Sequence, residues 1–186
     1  MKNLLVFAIV LLTTIFQLHA QKYMTRTGHI KFFSHTAMED IEANNHQVTS
    51  ILDAGTGEIV FAVLMKSFQF EKALMQEHFN EKYVESAKFP KATFKGKIAN
   101  LEEINFAKDG SYKTKVNGSL TIHGVTKEVS TEGLIVVADG KVSSSAKFPV
   151  AVADYDIKIP GVVKDNIAQE IEVTVDMNYQ PYNQEN

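Results

Sequence analysis

The sequence predicts an all-β chain, with about seven to nine strands in one antiparallel sheet and a single short helical insertion. Three observations predict it. Apolar residues recur at every second position in several separate runs, turn dipeptides punctuate those runs, and one stretch alone carries apolar residues four apart. A closed barrel and a two-sheet sandwich are the competing arrangements for such a chain, and closure leaves no strand edge unpaired.

Residues 1–20 precede these elements and read as an export signal: Lys2 lies in a short leading region, an apolar run covers 4–15, and Ala20 supplies the small residue ahead of a cut. The run is shorter than the roughly 20 apolar residues of a membrane span. Cleavage before Gln21 and a periplasmic or secreted protein are therefore expected. Loss of Lys2 leaves 18 basic against 22 acidic residues, a charge of -4, on a mature domain covering 21–186. One domain of that length buries a sizeable core without staples.

Along the chain, two glycines mark a turn at 53–57, and the run 59–65 is apolar at every position, as expected of a strand covered on both faces. In the helical stretch over 71–83, Met75, Phe79 and Tyr83 stack on one face with Leu74 beside them. It ends ahead of Pro90. Ala92, Phe94, Gly96 and Ile98 then alternate with lysines and Thr93. Tyr112, Thr114, Val116, Gly118, Leu120 and Ile122 define the next buried face, followed by Val142, Ser144, Ala146 and Phe148. Ile171, Val173, Val175, Met177 and Tyr179 close the series. Asp109-Gly110 and Asp139-Gly140 are hairpin dipeptides, and His123-Gly124 separates two strands. On this register Phe94, Leu120, Phe148, Val173 and Val175 face inward, while Lys95, Thr121, Lys147 and Thr174 face out.

Composition excludes several chemistries. With no cysteine there is no disulfide, thiolate metal site, thiol nucleophile or acylated cysteine. The slight negative charge gives no electrostatic case for nucleic acid. The histidines show no pair at helical metal spacing, Gly55-Thr56-Gly57 lacks the third glycine of a phosphate cradle, and no serine sits in a nucleophile elbow. His123 reads as a turn residue. No catalytic residue and no metal ligand are assigned. What remains is apolar content, including ten phenylalanines after residue 20. A barrel of about eight strands either packs its interior solid or holds one small ligand, and the residues leave both open.

Three blocks in order resemble the YceI-like family of bacterial polyisoprenoid-binding proteins. The first is Lys66-Ser67-Phe68, then the helix with His78-Phe79, Tyr83 and Lys88-Phe89-Pro90-Lys91-Ala92-Thr93-Phe94. The second and most specific runs Val116-Asn117-Gly118-Ser119-Leu120-Thr121-Ile122-His123-Gly124-Val125-Thr126-Lys127-Glu128-Val129. Asp154-Tyr155-Asp156-Ile157, leading to the last strand, is the third. The resemblance spans about 28–178 and implies a lipocalin-like barrel of about eight strands whose interior takes a long isoprenoid chain or quinone tail.

The expected function is a non-catalytic carrier or store for such a chain. Met75, Phe79, Phe94, Leu120, Phe148, Val173 and Val175 are the candidate lining residues. No cofactor is expected beyond a bound isoprenoid lipid or quinone as ligand. An isoprenoid or other long-chain lipid is the expected partner, and transient membrane contact and a homodimer are compatible with that reading. The alternatives are an enzyme acting on a lipid head group at the barrel mouth, using His78 or Asp156, and an interaction domain with a solid core.

Overall fold

The computed structural model describes residues 21–182, so the expected leader over 1–20 lies outside the described residues. The chain forms β1 (Lys22–His35), β2 (Asp40–Asp53), β3 (Glu58–Leu64), β4 (Gln69–Phe70), α1 (Ala73–His78), β5 (Lys91–Ile98), β6 (Gly110–Ile122), β7 (Val125–Ala138), β8 (Lys141–Ala151) and β9 (Glu170–Tyr182). Every neighbouring pair is antiparallel, and β1 pairs with both β2 and β9. The sheet therefore closes on itself as a barrel of eight strands, and the two-residue β4 adds to β2 at Ala43 and Asn44. The sandwich is excluded.

The turns follow their chemistry. His123 and Gly124 have φ of 51° and 78°, and Asp139 and Gly140 have 51° and 72°, the left-handed pairs that join twisted strands in two residues. Gly124 is doubly required, because a Cβ there would meet Phe89 at 2.5 Å. Asp53 caps its own turn by accepting from the amides of Gly55 and Thr56 at 2.9 and 3.0 Å. Asp109-Gly110 is not a tight hairpin: β5 and β6 are joined by residues 99–109, which contain a 3-10 turn at Leu101–Glu103.

Alternation holds along β5, β6, β8 and β9. Lys95 and Lys147 are exposed, Thr121 bonds the Thr126 hydroxyl across the hairpin at 2.8 Å, and Thr174 is half-buried between its cross-strand partners Lys31 and Lys147. β3 departs from expectation. Its inner face holds Ile59 and Val63, but Val60 and Leu64 are exposed on the outside. A strand in a barrel wall has only one covered face, and the helical segment packs at the barrel end instead.

β1 and β2 are bent by bulges around Thr25 to Ile30, opposite Asn45 to Val48. Gly28 sits at the bend, where any Cβ would collide with the Met177 side chain. Asn45, fully buried, donates to the Leu64 carbonyl at 2.9 Å and accepts from the Gln47 amide at 2.9 Å. It thereby satisfies the backbone where β2 parts from β3.

The helical insertion is shorter than the expected 71–83. Residues Ala73–His78 are α-helical and Phe79–Tyr83 form a π-helical turn. Lys72 supplies no side-chain cap at the start. At the end, the Asn80 side chain donates to the Gln76 carbonyl at 2.8 Å, and the Val84 amide reaches the Phe79 carbonyl. The widened turn brings Met75, Phe79 and Tyr83 toward the barrel interior.

The end of the barrel near the 53–57 and 139–140 turns is filled. Tyr23, Leu52, Ile98, Val137, Val142 and Met177 pack there around Tyr179, whose hydroxyl shares a 2.9 Å hydrogen bond with Ser50. Burial pushes the Tyr179 hydroxyl pKa up. Leu52→Ala is expected to cost about 2–5 kcal/mol in urea unfolding, because it opens a void in packed core. Leu120→Ala at the other end is expected to cost about 1 kcal/mol, since it only enlarges a space already present. Equal losses would contradict a barrel filled at one end and open at the other.

Candidate functional site

Above this floor the strands enclose a cavity of about 450 Å³, within the roughly 300–1,000 Å³ typical of ligand pockets. Its wall is made by inward residues of the strands, among them Leu120, Ile122, Phe148, Val150 and Val173. A smaller cavity of about 110 Å³ lies next to it, toward the floor, and shares Ile30, Val63, Ala92, Phe148 and Val173 with the first. Of the seven residues expected to line an interior, Met75, Phe79 and Leu120 border the larger space, Phe94 and Val175 the smaller, and Phe148 and Val173 both.

Sequence reasoning missed an aromatic cluster on one side of the larger cavity. Phe32, Phe68, Phe70 and Phe79 pack with ring centroids 5.1–5.6 Å apart. Each favourable pair adds about 0.5–1.5 kcal/mol beyond its buried area. The cluster joins β1 to β4 and the helical turn. Phe68 was visible inside the first family block, but nothing in the sequence signalled that Phe32 meets it.

Two connections cover the open end. The first flap is the insertion between β3 and β5, which carries α1. The second, between β8 and β9, begins with a 3-10 turn at Val152–Tyr155 and brings Ile157, Ile159, Val163 and Ile167 to the cavity. The sequence predicts no element over that second flap. Its isoleucines are the signal that was available.

Two hydrogen-bonded clasps fasten the flaps to each other and to the barrel. On one side, His123 of the β6–β7 turn places Nε2 2.8 Å from Glu85 Oε2 and Nδ1 3.1 Å from the Tyr155 carbonyl. Phe89 stands edge-on to its ring at 4.6 Å. The end of the first flap is so tied to the start of the second. On the other side, Lys72 Nζ donates to Glu39 Oε1 at 3.1 Å and Asn166 Nδ2 donates to Glu39 Oε2 at 3.2 Å. The start of the first flap is tied to the end of the second. The Ala168 amide adds a 2.8 Å bond to the buried Ser34 hydroxyl.

The remaining polar groups are few. His78 and Tyr83 border the larger cavity, and desolvation raises the Tyr83 hydroxyl pKa. Asp156 is exposed on a left-handed residue with φ of 56°. Among the described residues, no group of three His, Cys, Asp or Glu side chains is arranged to hold a metal ion.

Glu85 supplies a pH test of the His123 clasp. Its carboxyl is held below the ordinary value chiefly by the hydrogen bond from His123. A carboxylate whose pKa is lowered by folding stabilises the fold above its unfolded value, and that contribution fades as pH falls through the folded value. Glu85→Gln should therefore lower the Tm at neutral pH, and the difference from wild type should shrink as pH falls below the unfolded glutamate value of about 4.3 and be lost once pH is below the lowered folded value. A difference independent of pH, measured by calorimetry, would contradict the assigned pair.

The YceI-like domain family matches residues 14–179. Among solved structures, the chain is similar to a polyisoprenoid binding domain from Saccharophagus degradans, with a TM-score of 0.76 at 14% identity over 87% of this chain and 98% of that one. Burkholderia cenocepacia BcnA gives 0.68 at 15% identity, covering 82% and 96%. The Campylobacter jejuni YCEI protein gives 0.62 at 18%, covering 81% and 90%. At these identities the likeness is one of fold. No curated protein matches the chain. The family match extends over most of the sequence and includes both flaps and the His123-Gly124 turn, and the chain belongs to the YceI-like family.

Proposed function

We propose that the protein is an exported, non-catalytic carrier or store that holds one long isoprenoid or related lipid chain inside its barrel. The observation that carries this reading is the apolar cavity of about 450 Å³ above a packed floor, walled by aliphatic and aromatic side chains. Burying a methylene is worth roughly 0.8 kcal/mol, so a chain of several five-carbon units binds strongly by exclusion from water alone. A reacting group in the wall is not needed for that task. The Saccharophagus degradans neighbour, described as a polyisoprenoid binding domain, supports the same ligand class. Export rests on the sequence over 1–20, and a mature protein beginning at Gln21, determined by mass spectrometry, is the expected outcome. A mature form that retains Met1 would contradict export by cleavage.

Ligand content is tested by extracting the natively purified protein with organic solvent and weighing the extract. An isoprenoid lipid is expected, and an empty extract contradicts the carrier reading. Two substitutions separate lining from core. Leu120→Trp projects into the larger cavity and should lower lipid content with little change in Tm. Val175 is buried beside the smaller space, so Val175→Trp should overpack it and cost about 1–3 kcal/mol. A Leu120→Trp variant that keeps its full lipid content would place the chain elsewhere.

A further inference from the structure

We infer that the larger cavity selects a chain with an uncharged head group over a phosphate or diphosphate, and that Glu39 sets this choice. The inference rests on the lipid-chain reading above and concerns the end of the ligand that reaches the mouth.

Among the described residues, the lining of the larger cavity includes one lysine, Lys72, one carboxylate, Glu39, and no arginine. Lys72 is already engaged by Glu39 at 3.1 Å, and the second Glu39 oxygen takes the Asn166 amide at 3.2 Å. The hydrogen bond from Lys72, and then that from Asn166, hold the Glu39 carboxyl below the ordinary carboxylate range. Glu39 is thus ionised at neutral pH, and the ammonium beside it is compensated.

The segments beside Glu39 offer no positive excess either. The β1–β2 turn at 36–39, the flap start at 69–74 and the second flap at 152–169 contain five carboxylates, Glu39, Glu71, Asp154, Asp156 and Asp165. Against them stand three ammonium groups, Lys72, Lys158 and Lys164. A phosphate arriving there must compete with Glu39 for Lys72 while standing close to the Glu39 charge, well inside a screening length of about 8 Å at physiological salt. Tight phosphate recognition calls for free, convergent donors of the guanidinium or ammonium type. A hydroxyl or carbonyl head group meets no such opposition, and Tyr83, His78 and Asn166 offer hydrogen-bonding groups at the same wall.

The test compares geranylgeraniol with geranylgeranyl diphosphate, which share one chain, by calorimetric titration of the delipidated full protein. The alcohol is expected to bind more tightly by about tenfold or more, a preference of the size one misplaced charge produces at a surface. Glu39→Gln frees Lys72 and should shrink that ratio severalfold, and Glu39→Lys should shrink it further. Asn166→Lys places a cation opposite Glu39 without removing the carboxylate and should act in the same direction, which protects the test against a fold defect in either Glu39 variant. Diphosphate binding to wild type as tightly as the alcohol, or a ratio unmoved in all three variants, overturns the assignment of Glu39 and leaves the lipid-chain reading intact. Binding of neither ligand overturns both.

Discussion

Closing eight long antiparallel strands into a barrel fixes an interior volume that side chains must fill or leave open. In this protein the two ends of the barrel answer differently. At one end Tyr179, Tyr23, Leu52 and Met177 pack together in the core, and Ser50 satisfies the buried Tyr179 hydroxyl. At the other end the inward positions are Leu120, Ile122, Phe148 and Val173, whose side chains stop short of each other and leave the cavity. The hollow end is stable because the filled end and the complete ring of strand pairs hold the wall in place.

A hollow end also needs a cover, and the cover is held by polar contacts placed at its edges. Glu39 and His123 each bind one end of both flaps, in opposite senses along the chain. Neither belongs to a flap itself. Both lie in hairpin turns of the barrel, at the β1–β2 and β6–β7 connections, so the wall positions two long connections, with the Glu39–Lys72 ion pair at the edge of the cavity. The left-handed conformations of His123 and Glu85, with φ of 51° and 44°, are backbone conditions for that geometry. A glycine must follow His123, because Phe89 occupies the space where a Cβ would be. The most specific sequence block therefore has a structural meaning, the seating of one clasp.

Legibility in the sequence followed the regularity of each strand. β6, β8 and β9 keep one register from end to end, and their faces were readable residue by residue. β1 and β2 were not, because the bulge after Thr25 shifts the pattern in mid-strand and because Thr25, Ser34, Asn45 and Ser50 point inward although they are polar. β3 misled in the other direction, since Val60 and Leu64 are apolar yet exposed. The helix was found over 73–83, two residues short of the expected start, with a π-helical last turn where the Asn80 side chain bonds the Gln76 carbonyl. For the site, alternation and helical spacing gave the inward direction of the seven expected lining positions, and these border the two cavities. Phe32, Phe68 and Phe70, the second flap and the Glu39 contacts depend on which distant segments closure brings together, and no local pattern encodes that. Whether the interior was filled or hollow was likewise invisible, because it is a property of the ring and not of any strand.

The central claim is that a chain occupies the end of the barrel opposite Tyr179 and that the floor excludes it. Intermolecular nuclear Overhauser effects between an isoprenoid ligand and protein labelled at its isoleucine, leucine and valine methyl groups test it most directly. Cross-peaks are predicted from the ligand to Leu120, Ile122, Val173 and Ile167, which border the larger cavity. None is predicted to Leu52, Val137 or Val142 in the floor. Cross-peaks confined to the exposed outer residues Val60 and Leu64, or spread equally over floor and cavity, would contradict the account.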